Sequence, residues 1–231
     1  MSPTEGSPFE LAAEACWPTL LFHRRWRDHD AEAPALLKFL AQRRAEQAGR
    51  VASGVAVRAK SGHGLYESGF DLFTHAHPAL DRLKGFIGQS LAAAVCHAEG
   101  GRVRPAELEI AVVESWFHVT NGGGFHDAHV HPNCSWCGVY YVQVGDSGAA
   151  ADGGAPNGGT RFYSPLSLGY RDAGNAHQIE ELDAPLADGL LVLFPSYLRH
   201  SGLPYTGARD RVVIAFNARV FLRGVPSNLR P

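Results

Sequence analysis

From Pro105 to the end of the chain, apolar residues either alternate or run continuously in short stretches divided by Gly and Pro, and no helical period survives. Leu108, Ile110 and Val112 alternate, and Trp116 to Thr120 continues in β-rich residues up to the break Asn121-Gly122-Gly123-Gly124. Gly138 to Val144, Thr160 to Tyr163, Leu190 to Phe194 and Arg211 to Phe221 follow, with Asp188-Gly189 turning into the third run and Pro195 ending it. Gly145 to Gly159 carries no period and reads as a long loop. Many short strands of this kind imply a jelly roll rather than a parallel α/β sheet.

Upstream the period is 3.6. Leu36, Leu37, Leu40 and Ala41 place a helix over Pro34 to Gln47 with Gly49 as its stop. Pro78 opens a second, whose Leu80, Leu83, Ile87, Leu91 and Ala94 share one face before Gly100. Trp17 to Phe22 reads as a short strand. The expected architecture is therefore mainly β, a double-stranded β-helix (jelly roll, cupin-like) with N-terminal buttressing α-helices. Residues 1–15 form a flexible N-terminus, and 16–231 form one domain with helices in about 30–100 and the β core in about 105–223.

Composition removes several function classes. With 21 Lys and Arg against 23 Asp and Glu the formal charge is -2, so no nucleic-acid partner is expected. No run of 18 apolar residues and no leader pattern occurs, so no membrane span is expected. Four scattered cysteines, Cys16, Cys96, Cys134 and Cys137, suit a reducing, intracellular compartment better than a disulfide framework. Cys134-Ser135-Trp136-Cys137 lacks the second pair a four-sulfur zinc site needs, and reads as buried thiols at a strand edge. Histidine is the outlier: of 12, four (His118, His126, His129, His131) fall within 14 positions, which points to a metal.

Within Phe125-His126-Asp127-Ala128-His129-Val130-His131-Pro132-Asn133, strand geometry would put Asp127, His129 and His131 on one face, with His126 and Ala128 on the other. Two imidazoles then converge, and a distant third ligand would complete a facial set with open positions for O2 and a chelating co-substrate. His200, after the apolar run and Pro195-Ser196, is the candidate. Arg211, 11 positions on, can reach across the cavity from the next strand and grip a carboxylate with its two-pronged guanidinium.

These residues resemble the Fe(II)- and 2-oxoglutarate-dependent oxygenases, and within them an uncharacterised branch with a His-x-His-Pro segment. The matching pieces are Glu114-Ser115-Trp116, His129 to Asn133, Gly138 to Val142, Gly189 to Ser196, His200 and Arg211 to Asn217, in the family's order. The resemblance implies Fe(II) with His129 as first and His200 as distal ligand, and 2-oxoglutarate as co-substrate. Arg211 would pair with its far carboxylate, with Arg209 a weaker substitute. Tyr141 would donate a hydrogen bond to that carboxylate, and Asn217 joins the cofactor-binding set. The reaction implied is oxidative decarboxylation to succinate and CO2 coupled to hydroxylation of a small molecule or peptide. Where the wider superfamily has Asp or Glu two positions after the first His, this chain has His131. Three readings follow: a three-histidine site, the favoured one; ligation by Asp127; or two histidines with water or halide. The competing functions are a cupin-type three-histidine dioxygenase without 2-oxoglutarate and a non-enzymatic zinc-binding jelly roll. His118 and His126 are expected as second-layer or pocket residues, and Trp116, Trp136, Tyr140 and Phe162 as possible pocket lining.

Overall fold

The computed structural model describes residues 18–52, 60–148, 156–165 and 180–225. The expected flexible tail and Trp17, the first residue of the strand expected at Trp17 to Phe22, lie outside them, as does the middle of the Gly145–Gly159 loop. The elements are β1 (Phe22–Arg25), α1 (His29–Ala52), β2 (Lys60–Gly62), β3 (Leu65–Glu67), α2 (Pro78–Ala98), β4 (Leu108–Thr120), β5 (Gly124–His129), β6 (Trp136–Gln143), β7 (Thr160–Tyr163), β8 (Glu181–Asp183), β9 (Leu190–Pro195), β10 (His200–Tyr205) and β11 (Arg211–Leu222). They form a seven-stranded sheet, β1-β9-β6-β11-β4-β3-β2, and a four-stranded sheet, β5-β10-β7-β8. Both are antiparallel throughout.

Period-2 alternation gives the large sheet two apolar faces, which is why its strands read as continuous apolar runs. On β6, Tyr140 and Val142 face the helices while Val139 and Tyr141 face the small sheet; on β9, Leu191 and Leu193 oppose Val192 and Phe194 in the same way. Against the outer face lie Leu36 and Leu40 of α1 and Leu80, Leu83, Ile87 and Leu91 of α2, all at 0 or 1% exposure. Removing each of these six from water stabilises the fold by roughly 2 kcal/mol. The helices are thus a buttress, and the second core, between the sheets, carries the pocket.

Two glycines are required by packing. A Cβ at Gly138 would meet the Phe216 ring at 2.2 Å, so the large sheet closes over the helices only because β6 is bare there. Gly189 has φ +77° in the turn before β9, and a Cβ would lie 2.6 Å from His29.

Several boundaries differ from the sequence reading. α1 begins at His29 and absorbs Pro34, whose ring removes only one main-chain hydrogen bond near the helix start, and it runs through Gly49 because Gly permits helix without favouring it. α2 starts at Pro78 as expected, and Gly100, at φ +62°, follows its end. The first strand lies at Phe22–Arg25, where it pairs with β9. β6, which the Cys134-to-Cys137 segment enters, lies between β9 and β11 and is no sheet edge. The short strands β2, β3 and β8 lack any periodic signal.

Candidate metal centre

The pocket is built from two registered rows. Trp116, His118 and Thr120 of β4 point inward while Phe117 and Val119 point to the helices, and β11 aligns Arg211 with Thr120, Val213 with His118, Ala215 with Trp116 and Asn217 with Glu114. Arg211, Val213, Ala215 and Asn217 therefore share one face of one strand, and all four line the pocket.

The opposite wall is β5 and β10. Their pairing aligns His200 with His129 and Gly202 with His126, so two steps on β10 answer three on β5: a bulge at Asp127 and Ala128. The extra residue overturns the expected face assignment. His126 and His129 both line the pocket, whereas Asp127 is exposed and turns its main-chain oxygen toward them. Asp127 as a metal ligand is accordingly not among the groups the fold brings together.

His129, His131 and His200 are brought together, with one nitrogen from each lying within 4.8 Å of the others. Ring centroids are 4.4 Å apart for His129 and His200, 4.8 Å for His129 and His131, and 5.2 Å for His131 and His200. The tautomers of two are fixed by main chain: His129 Nδ1 donates to Asp127 O at 2.7 Å and His200 Nδ1 to Leu198 O at 3.0 Å, which leaves each Nε2 lone pair for a cation. His131 is held otherwise, its Nδ1 3.3 Å from the amide of Asn217, which in turn donates to Glu114 at 2.8 Å. Burial pushes His200 down to about 3 and His131 down to about 4, with neighbouring imidazoles adding to the effect, and burial lowers His129 as well. At neutral pH all three are uncharged, as metal ligation requires.

At the other end of the pocket Arg211 is 4% exposed. Its guanidinium lies 5.5 Å from the Tyr141 ring centre, and Tyr141 donates its hydroxyl to Thr160 Oγ1 at 2.8 Å. Desolvation pulls Arg211 below its usual value, yet a guanidinium starts so high that it stays a cation, and desolvation raises Tyr141, which stays a protonated donor. Among the described residues, three buried side-chain polar atoms lack a hydrogen-bond partner, and two of them are Arg211 Nε and its register neighbour Thr120 Oγ1. Unpaired buried donors are costly, and here they mark where a carboxylate fits. Arg209, the weaker substitute, instead bonds Gly145 O with its side chain 60% exposed.

A second convergence lies beside the first. Glu67 Oε2 is 2.9 Å from His118 Nε2 and 3.3 Å from His126 Nε2, and the three groups are close enough to share a cation. His118 Nε2 lies 3.1 Å from Trp116 Nε1 as well as beside Glu67, so this nitrogen already has hydrogen-bonding neighbours on two sides. The His126 ring lies tilted with its centre 4.4 Å from that of His129, which makes this cluster a side wall of the first site. Glu67 and Thr120 escaped the sequence reading: Glu67 sits in a three-residue strand with no periodic signal, and Thr120 reads only as a strand end.

Other expected pocket residues separate. Trp116 lines the pocket, and Phe162 packs in the inner core 6.1 Å from the His200 ring. Tyr140 instead faces the helices and bonds His29 Nδ1 at 2.7 Å, and Trp136 packs on the helical core beside Phe22. Both occupy the outward phase of β6. Asn217 is 3% exposed and its amide is spent on Glu114, His131 and Cys137, so it orients His131 rather than offering free donors to a cofactor.

Residues 114–217 match the family model described as "Putative 2OG-Fe(II) oxygenase". That segment is thus similar to this family. It contains all three converging histidines, Tyr141 and Arg211. Several solved structures share the fold of this chain across most of both chains. A Pseudomonas putida prolyl-4-hydroxylase is 18% identical with TM-score 0.54, covering 86% of this chain and 92% of that one. AviO1 from Streptomyces viridochromogenes Tue57 is 14% identical with TM-score 0.56, covering 91% and 92%. HygX from Streptomyces hygroscopicus, solved with nickel and 2-oxoglutarate, is 11% identical with TM-score 0.53, covering 87% and 83%. A comparison with curated protein sequences gives no match. No described helix is long and apolar enough to cross a membrane.

Proposed function

We propose that this oxygenase holds Fe(II) through His129, His131 and His200 and uses 2-oxoglutarate to oxidise a C–H bond of a small molecule or peptide, with hydroxylation as the outcome. The observation that carries the reading is one pocket with three neutral imidazoles converging at one end and a buried cation with a free donor at the other. When bound, ferrous iron supplies O2 activation, coupled to decarboxylation of the oxo acid to succinate and CO2.

The chain's own residues supply position and charge. Arg211 anchors the far carboxylate of 2-oxoglutarate, forking two N–H donors onto it, and Thr120 and Thr160 hydroxyls complete its hydrogen bonds. Tyr141 stays protonated at neutral pH and holds Thr160 in place. Val213, Ala215 and Phe194 keep water from the stretch between the two ends. Three imidazoles bring no charge to a dication, so a dianionic co-substrate neutralises the centre. A centre with one carboxylate would instead become anionic and a better electron donor.

The Glu67, His118 and His126 cluster has the commoner two-histidine, one-carboxylate composition, yet Glu67 lies outside the matched segment and His118 is engaged by Trp116. The lack of a carboxylate in the favoured set lends weight to one other reading, a three-histidine dioxygenase that needs no oxo acid. Succinate release with Fe(II), O2 and 2-oxoglutarate across a substrate panel separates the two. The proposal requires succinate in step with O2 uptake, and O2 uptake without succinate would replace it with the cupin-type alternative.

A further inference from the structure

We infer that Cys134 and Cys137 are an oxidisable dithiol that sets the hold of His131 on the metal. Their sulfurs lie 3.6 Å apart with no bond between them. Both are wired to the same ligand. Cys137 donates its S–H to Asn217 Oδ1 at 3.3 Å, the Asn217 amide reaches His131 Nδ1 at 3.3 Å, and the Cys134 sulfur lies 3.7 Å from the main-chain oxygen of His131. His131 is also the one member of the trio whose ring is not fixed by a main-chain carbonyl.

A disulfide needs its sulfurs at about 2.05 Å, so closing the pair shortens their separation by roughly 1.5 Å. Cys137 is packed at 2% exposure against Asn217, whereas Cys134 is half-buried in the loop between His131 and β6. The movable partner is therefore the loop that carries His131. Closure also removes the S–H donor from Asn217 and frees the amide that orients the imidazole. Such outer partners of a metal-bound imidazole are worth about 10- to 100-fold in metal affinity.

Hydrogen peroxide is the oxidant of suitable size. The half-buried Cys134 sulfur, the more accessible of the two, attacks one peroxide oxygen, forming S–OH and releasing one water. The Cys137 sulfur then attacks Cys134, the S–S bond forms, the S–O bond breaks and a second water leaves. Two thiols lose two hydrogens and two electrons, and peroxide takes them up as two waters. A dithiol reductant reverses the change.

The link to metal rests on the His129, His131 and His200 reading, and the test keeps the two apart. Full-length metal-free protein is treated with a slight excess of hydrogen peroxide, quenched, mapped by mass after alkylation, and titrated with Ni(II), which does not react with peroxide residues. Expected are a loss of two mass units in the peptides carrying Cys134 and Cys137, restoration by reductant, and a Ni(II) dissociation constant raised at least tenfold. In Cys134→Ser, which cannot form the bond, peroxide should leave the constant at its reduced value. Both thiols alkylating fully after peroxide, or Cys134 ending as a sulfinic acid without a bond, would overturn the disulfide whether or not metal binds. A disulfide with Ni(II) affinity within twofold would overturn the coupling. A reduced protein that takes up no Ni(II) at all would overturn the coupling together with the iron reading.

Discussion

Two histidine clusters share one pocket, and they differ in what holds their imidazoles. His129 and His200 spend Nδ1 on main-chain carbonyls and keep Nε2 free, while His118 and His126 turn Nε2 onto the carboxylate of Glu67. The first arrangement aims two lone pairs at one centre, and in the second the corresponding nitrogens face a carboxylate, which favours a proton on them. Clustering of histidines alone therefore does not present lone pairs to a metal; for His129 and His200 the partner of the far nitrogen does.

The sharpest way to break this contrast is to remove one member of the first set. His200→Ala should abolish Fe(II) retention and reduce succinate release to background, read by metal analysis and product assay, with the fold kept by circular dichroism. Next in size is the far end of the pocket. Arg211→Ala should raise the half-saturating 2-oxoglutarate about a hundredfold, or about 3 kcal/mol, while iron stays bound, because a buried carboxylate loses its charged partner. Unchanged saturation would mean that the guanidinium serves the fold alone.

The second cluster should respond in the opposite sense. Glu67→Gln should leave one iron per chain and lower unfolding stability by about 1–3 kcal/mol, since it weakens buried hydrogen bonds rather than ligation. Metal content falling to zero would assign the cation to the wrong cluster. Smallest is a pH effect on the metal-free protein. His131 and His200 are depressed to about 4 and about 3, whereas unfolded histidine titrates near 6.5. Between those values the unfolded chain binds protons that the folded chain refuses, so stability should be full above about pH 6.5 and decline as pH falls toward 4. Thermal melts of the apo-protein that rise on acidification would contradict the burial of these rings.

The large features were legible because they obey period and order. The switch at Pro105 announces the β fold, the Leu80 to Leu91 face announces α2, and the ordered set of His129, His131, His200 and Arg211 announces the pocket. What escaped depends on single-residue irregularities. Strand parity placed Asp127 beside His129, but one extra residue in β5 rotates His126 into the pocket and Asp127 out of it, and a bulge leaves no mark in an apolar-polar pattern. Tyr140 and Tyr141 are chemically alike and adjacent; only the phase of β6, fixed by packing on the helices, decides which one reaches Arg211. Glu67 was invisible because the short strand β3 is held by pairing with β4, not by its own sequence.

The most direct test of the central claim is anaerobic titration of 2-oxoglutarate into the protein with and without Fe(II), followed by calorimetry, with His200→Ala alongside. Saturable binding of one 2-oxoglutarate per chain should require Fe(II) and vanish in the variant. Binding that is equally strong without iron, or that persists in His200→Ala, would contradict a centre built from His129, His131 and His200 with Arg211 as its anchor.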